Sequence, residues 1–229
     1  MRHAVLPCLT ALALLAGCQP ATTPAPAAAP ASPPAASTSA PTAPESSAPD
    51  ASAPATAAAD SPSFDCAKAS GEQEKLVCGD PELAALDRQL ADTYRQALAK
   101  ASDPALVRAT QRGWVKGRDD CWKAEDVRAC VFEAYVRGIV DLRLQHGLVQ
   151  AATAVEYRCD DAAKRVAAAF YNEPPQAMVL TVDNDQSIVP IARSASGARY
   201  AASGVEFWEH QGEATIDFYG TKLRCTPAR

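Results

Sequence analysis

The sequence predicts two small folded units of different class: a disulfide-stapled three-helix bundle, then a small antiparallel β-barrel of seven to eight strands. Three observations carry this. Between residues 63 and 147, apolar residues recur at helical spacing behind Asp-Pro start signals. Between residues 155 and 229, short alternating runs are separated by Gly, Asn, Asp and Pro turns. Six cysteines follow the leader, four in the first unit and two near the ends of the second.

In chain order, residues 1–17 carry Arg2 and His3 and then the apolar run Ala4 to Leu15. That run is too short to span a bilayer permanently and reads as a signal peptide. It ends Leu15-Ala16-Gly17-Cys18, which resembles the bacterial lipobox. The resemblance implies cleavage before Cys18 and a lipid on its sulfur. Gln19 in place of Asp implies sorting to the outer membrane of a Gram-negative cell, with the chain on the periplasmic side.

Residues 18–62 form a tether. From residue 19 they are almost wholly Ala, Pro, Ser and Thr, with only Glu45, Asp50 and Asp60 charged. With no large apolar side chains to bury, the segment cannot offset its ordering entropy. In the polyproline II state, at about 3.1 Å per residue, it reaches roughly 130 Å.

In residues 63–147, Asp80-Pro81-Glu82 supplies an N-cap, a first-turn proline and a first-turn acid. Leu83, Leu86, Leu90, Tyr94 and Leu98 then mark one helix. Asp103-Pro104 repeats the signal, and Leu106, Val107, Trp114 and Val115 mark a second helix ending near Cys121. A third runs from about Glu125 to His146, with Val127, Val131, Tyr135, Ile139 and Leu142 inward; Glu72 to Val77 adds a short helical turn before Cys78. Antiparallel packing gathers Cys78, Cys121 and Cys130 at one end, with Cys66 nearby. Three pairings of these four are possible; Cys66–Cys78 with Cys121–Cys130 is preferred. Trp114 reads as a core residue at helical spacing, and Trp122 as a contact residue.

In residues 155–229, strands are marked by Val155 to Cys159, Val166 to Phe170, Met178 to Val182, Ile188 to Ile191, Val205 to Trp208, Thr215 to Tyr219 and Lys222 to Cys225. So many short strands in so short a stretch predict a closed barrel. A Cys159–Cys225 bridge ties its ends. A barrel of this size is filled by its own side chains, which argues against an internal ligand.

Composition narrows the function. Residues 63–150 carry 13 basic and 14 acidic side chains, and residues 155–229 carry 8 and 10, so no basic nucleic-acid footprint exists. No CxxC occurs, so the cysteines read as disulfides of an oxidising compartment, with no metal and no cofactor. Glu206, Glu209, Glu213 and Asp217 cluster in sequence but stand in no recognisable catalytic context, and no catalytic residue is assigned.

The stretch Phe64-Asp65-Cys66-Ala67-Lys68-Ala69, with Glu74-Lys75-Leu76-Val77-Cys78, Asp80 to Asp87, Gln111-Arg112-Gly113-Trp114 and Arg118-Asp119-Asp120-Cys121, resembles the lysozyme inhibitor LprI-like N-terminal domain. The barrel region resembles the membrane-bound inhibitors of c-type lysozyme, the MliC family. The carrying residues are Tyr157-Arg158-Cys159-Asp160, Phe170-Tyr171-Asn172, Ser194 to Tyr200, Phe207-Trp208, Glu213-Ala214 and Cys225. That resemblance implies inhibition of c-type lysozyme by two loops that enter its cleft, a serine and a lysine meeting the catalytic carboxyl groups. The positions implied are Ser196 (Ser194 the fallback), Gly197, Arg199 and Tyr200 in the first loop, and Trp208, His210 and Glu213 in the second. His210 stands where the family has lysine, and supplies a cation only when protonated, near or below pH ~6.5. Arg199 is the substitute cation. The alternative reading is a structural or adaptor envelope lipoprotein whose helical unit binds another envelope protein.

Overall fold

A computed structural model describes residues 61–150 and 152–228. The expected signal peptide, Cys18 and all but the last two residues of the tether lie outside them. Four α-helices form among the described residues: α1 (Glu72–Gly79), α2 (Pro81–Lys100), α3 (Pro104–Asp119) and α4 (Val127–Gln145). The stretch read as a helical turn before Cys78 is thus a full short helix, α1. Short 3-10 turns occupy Cys66–Lys68 and Asp120–Lys123.

The start signals act through side-chain caps. One Asp80 oxygen accepts from the backbone N–H groups of Glu82 and Leu83 at 3.0 and 3.1 Å, and Asp103 does the same for Ala105 and Leu106. Each satisfies donors that the first helical turn leaves open. Asp126 caps α4 through Ala129 N–H at 2.9 Å.

The helical core is built from Val77, Leu83, Leu86, Leu90, Val107, Val131, Tyr135 and Ile139. One polar chain crosses it. The Tyr135 hydroxyl donates to Asp87 at 2.9 Å and accepts from Arg118 at 3.3 Å, so α2, α3 and α4 share a buried network. Burial, then the Asp87 charge, pushes the Tyr135 phenol far above its ordinary range. Trp114 lies on Gly138, where a Cβ would sit 2.5 Å from the indole nitrogen, and that nitrogen donates to Ala134 O at 2.9 Å. Trp122 is 65% exposed. Leu106 and Val115, two of the residues that mark α3, also face solvent, because α3 meets the bundle only along Val107, Trp114 and Arg118. Disulfides join Cys66 to Cys78 and Cys121 to Cys130.

Eight strands follow: β1 (Val155–Cys159), β2 (Val166–Tyr171), β3 (Ala177–Val182), β4 (Asp185–Ala192), β5 (Ala198–Ala202), β6 (Val205–His210), β7 (Glu213–Phe218) and β8 (Thr221–Pro227). Each pairs antiparallel with the next, and β8 pairs with β1, closing the barrel. Cys159 and Cys225 face each other on that closing pair and are bonded. Met178, Leu180, Val189, Tyr200, Phe207, Ile216 and Leu223 fill the interior.

β5 runs through the second half of the stretch read as one exposed loop. Ala198 to Ala202 holds a single large apolar residue, Tyr200, so alternation gave no strand signal there.

The helices and the barrel pack together. β3 is buried on nearly its whole length because the barrel interior covers one face and the helices the other; Ala177 belongs to the helical core, with Ile188 packed against it. Pro174 O accepts from Gln89 at 2.6 Å and from Arg143 at 2.9 Å, and Ser203 N–H donates to Glu133 at 3.0 Å.

Candidate functional site

Up-and-down connectivity places the β4–β5 and β6–β7 connections at the same end of the barrel. β4 and β5 pair over only two rungs, Ile191↔Tyr200 and Ala192↔Arg199, which leaves residues 193–197 as a five-residue arch. The β6–β7 hairpin is tight: His210 pairs with Glu213 across Gln211-Gly212, both with positive φ (52° and 82°). Such a two-residue turn matches the twist of the flanking strands.

The arch is fastened to β6. Ala198 pairs with Glu209, which brings Gly197 onto the Glu209 carbonyl. A Cβ at Gly197 would lie 2.1 Å from that oxygen, and its φ is +70°, so only glycine fits. The Trp208 indole N–H donates to Ser196 O at 3.0 Å. The Ser194 hydroxyl also donates to Ser196 O and accepts from Ser196 N–H at 3.4 Å. Ser194 therefore braces the arch from within. The Ser196 hydroxyl is exposed and makes no hydrogen bond to a described residue.

Beside Ser196, the imidazole of His210 stacks on Trp208, with centroids 5.6 Å apart and planes at 11°. Ser196, Gly197, Trp208 and His210 thus form one surface, with Glu213 exposed on the hairpin opposite His210. Tyr200 stands apart from it, packed in the core against Phe170 and Phe207. Arg199 is turned away as well: its Nε donates to Glu206 at 2.7 Å, on the side leading to the far end of the barrel.

Three of the four clustered carboxylates have separate structural tasks, Glu206 as the partner of Arg199. Glu209 faces the barrel mouth and accepts from the Tyr157 hydroxyl at 3.0 Å. Burial and then that bond push the Tyr157 phenol up; burial and the Glu209 charge do the same to Tyr200. Asp217 accepts from Gly220 N–H at 2.9 Å. Among the described residues, no group of three or more His, Cys, Asp or Glu is placed to hold a metal ion.

Sequence reasoning passed over Arg193. It is exposed at the foot of the arch and makes no hydrogen bond or ion pair with a described residue. The available signal was its place next to Ser194.

The family model described as membrane-bound lysozyme-inhibitor of c-type lysozyme (MliC) matches residues 157–224, and the one described as lysozyme inhibitor LprI matches residues 66–161. Lipoprotein LprI of Mycobacterium tuberculosis and that of Mycobacterium bovis are each 40% identical over 164 residues, 71% of this chain and 83% of the relative. The chain belongs to the LprI lipoprotein family. A crystal structure of Pseudomonas aeruginosa MliC in complex with hen egg white lysozyme also matches, at 27% identity over 35% of this chain and 88% of that one, with a TM-score of 0.29.

Proposed function

We propose that this chain is an inhibitor, not an enzyme, and that it blocks c-type lysozyme by inserting the 193–197 arch and the β6–β7 hairpin into the catalytic cleft. The observation that carries this reading is the Ser196 hydroxyl, left unpaired on an arch that Trp208 and Ser194 hold rigid. Lysozyme works with one protonated and one ionised carboxyl group. A hydroxyl can donate to either and accept from the protonated one, and a cation beside it makes a charge-assisted bond to the ionised group. Pre-organising the arch lowers the entropy lost on binding. The cation is His210, beside the arch, or Arg193, at its foot; Arg199 already serves Glu206. We place the protein on the periplasmic side of the outer membrane, held by a lipid on Cys18, with residues 18–62 as its tether and 63–147 and 155–229 as its folded units.

The test is inhibition of cell-wall hydrolysis by a c-type lysozyme across pH, corrected for the lysozyme's own titration. Ser196→Ala should weaken inhibition at least tenfold, roughly the loss of one charge-assisted bond. If His210 is the cation, inhibition strengthens toward acid pH and His210→Ala removes that rise. If Arg193 is the cation, the profile is flat and Arg193→Ala lowers it throughout. A wild-type chain that fails to inhibit at large excess refutes the reading.

A further inference from the structure

The barrel tips use no side chain of the helical unit. Most of its cations are engaged. Asp119 holds Arg118, Asp80 and Glu82 hold Arg128, and Asp120 holds Lys123. Arg108, Arg112 and Lys116 differ. None makes a hydrogen bond or ion pair with a described residue, and all three are exposed. Four-residue spacing sets them in one row on α3, about 12 Å long at helical rise. The row lies opposite the side where Val107, Trp114 and Arg118 meet the bundle. The acids near it are already used: Asp119 accepts from Arg118 at 2.6 Å, Asp120 from Lys123 at 2.8 Å, and Asp103 caps the helix.

Val115, 37% exposed, flanks that row, three residues past Arg112. Trp122, 65% exposed, follows in the turn after α3. Like charges at this spacing repel, so the row works against its own helix. Asp120 and the C-terminal end of α3 offset part of this at Lys116. An external array of negative charge would offset the rest along the whole row.

We propose that this face of α3 rests on the anionic phospholipid headgroups of the membrane that carries the protein. A row of unpaired cations complements a plane of phosphates. An exposed valine and indole suit headgroup depth, where tryptophan is enriched. Lipid is favoured over an acidic protein because the chain belongs to a lipoprotein family: an anchor keeps the headgroups at high effective concentration, so weak contacts suffice. This inference does not depend on the lysozyme reading.

The test uses the unacylated chain from Gln19 onward, which retains every described residue. Its sedimentation is measured with vesicles of phosphatidylcholine alone and with phosphatidylglycerol added. Binding is expected only to the anionic vesicles, and to vanish as salt rises from about 0.1 M to about 1 M. Arg108→Gln/Arg112→Gln/Lys116→Gln should weaken it on the order of a hundredfold, and glutamine keeps the helix propensity. Arg112→Gln alone should weaken it about fivefold, which serves if the triple variant folds poorly. Equal binding by the variants, equal binding to neutral vesicles, or capture of acidic proteins without vesicle binding overturns the proposal.

Discussion

Gly197→Ala tests the architecture of the tips most sharply. The backbone there has φ +70°, which an L-residue adopts at about 1–2 kcal/mol. The added Cβ would meet Glu209 O at 2.1 Å, a backbone atom with no rotamer to yield. The arch must then move by roughly an ångström, a strain large enough to break a hydrogen bond. The contacts at stake are the Ala198↔Glu209 rung and the Trp208–Ser196 bond. Each is worth about 1 kcal/mol, so the total is about 3–4 kcal/mol. Gly212→Ala is the control. Its φ is +82° but nothing lies within 4 Å of its Cβ, so it carries only the conformational part. The difference, about 2 kcal/mol, isolates the clash. Urea midpoints and inhibition constants against a c-type lysozyme would be measured for both. Gly197→Ala should lose more stability and most of its inhibition, and Trp208 emission should shift as its bond opens. Equal effects of the two substitutions would refute the account of the arch as a loop pinned to β6.

Three further outcomes are expected. Tyr135→Phe removes the hydroxyl that satisfies Asp87 and Arg118 in the core, and should lower helical-unit stability by about 1–3 kcal/mol, read by chemical denaturation. Replacing Cys159 and Cys225 by alanine frees a 66-residue loop, and should cost about 4 kcal/mol in the chain-entropy view, read from the same curves with the bridge absent. Burial pushes the Asp80 carboxyl up, but Arg128 and the backbone N–H groups of Leu83 and Glu82 outweigh it and hold it below its ordinary 3.8. Its stabilising contribution is therefore complete above about pH 4 and lost as pH falls through the depressed value; Arg128→Gln should flatten the acid-side slope of stability measured by urea titration.

Much of the site was legible because it rests on local rules. Glycines and turn residues flag the arch and the hairpin, and Ser196 stands in the first of them, next to Gly197. The division of labour between the two serines was not legible. Ser194 and Ser196 are equivalent in sequence, and only the hydrogen bonds to Ser196 O and N–H make one a brace and leave the other free. Arg199 was unavailable for a related reason: its partner Glu206 is seven residues away and meets it only across the β5–β6 ladder.

What the sequence determined by itself was whatever depends on short range. Asp-Pro caps start α2 and α3, helical periodicity builds the bundle, alternation between turns builds most strands, and the cysteine positions mark which segments are stapled. What tertiary structure decided depends on surfaces meeting. β5 became a strand because β6 offered a ladder, not because Ala198 to Ala202 has strand character. α3 shows Leu106 and Val115 to solvent because only one narrow side of it found a neighbour. The helices came to lie on β3 and β4 because the outer face of β3 also carries apolar residues, Ala177 and Val179, that need cover. A local pattern can say that a face is apolar, but which other face covers it is set by the packing of the whole chain.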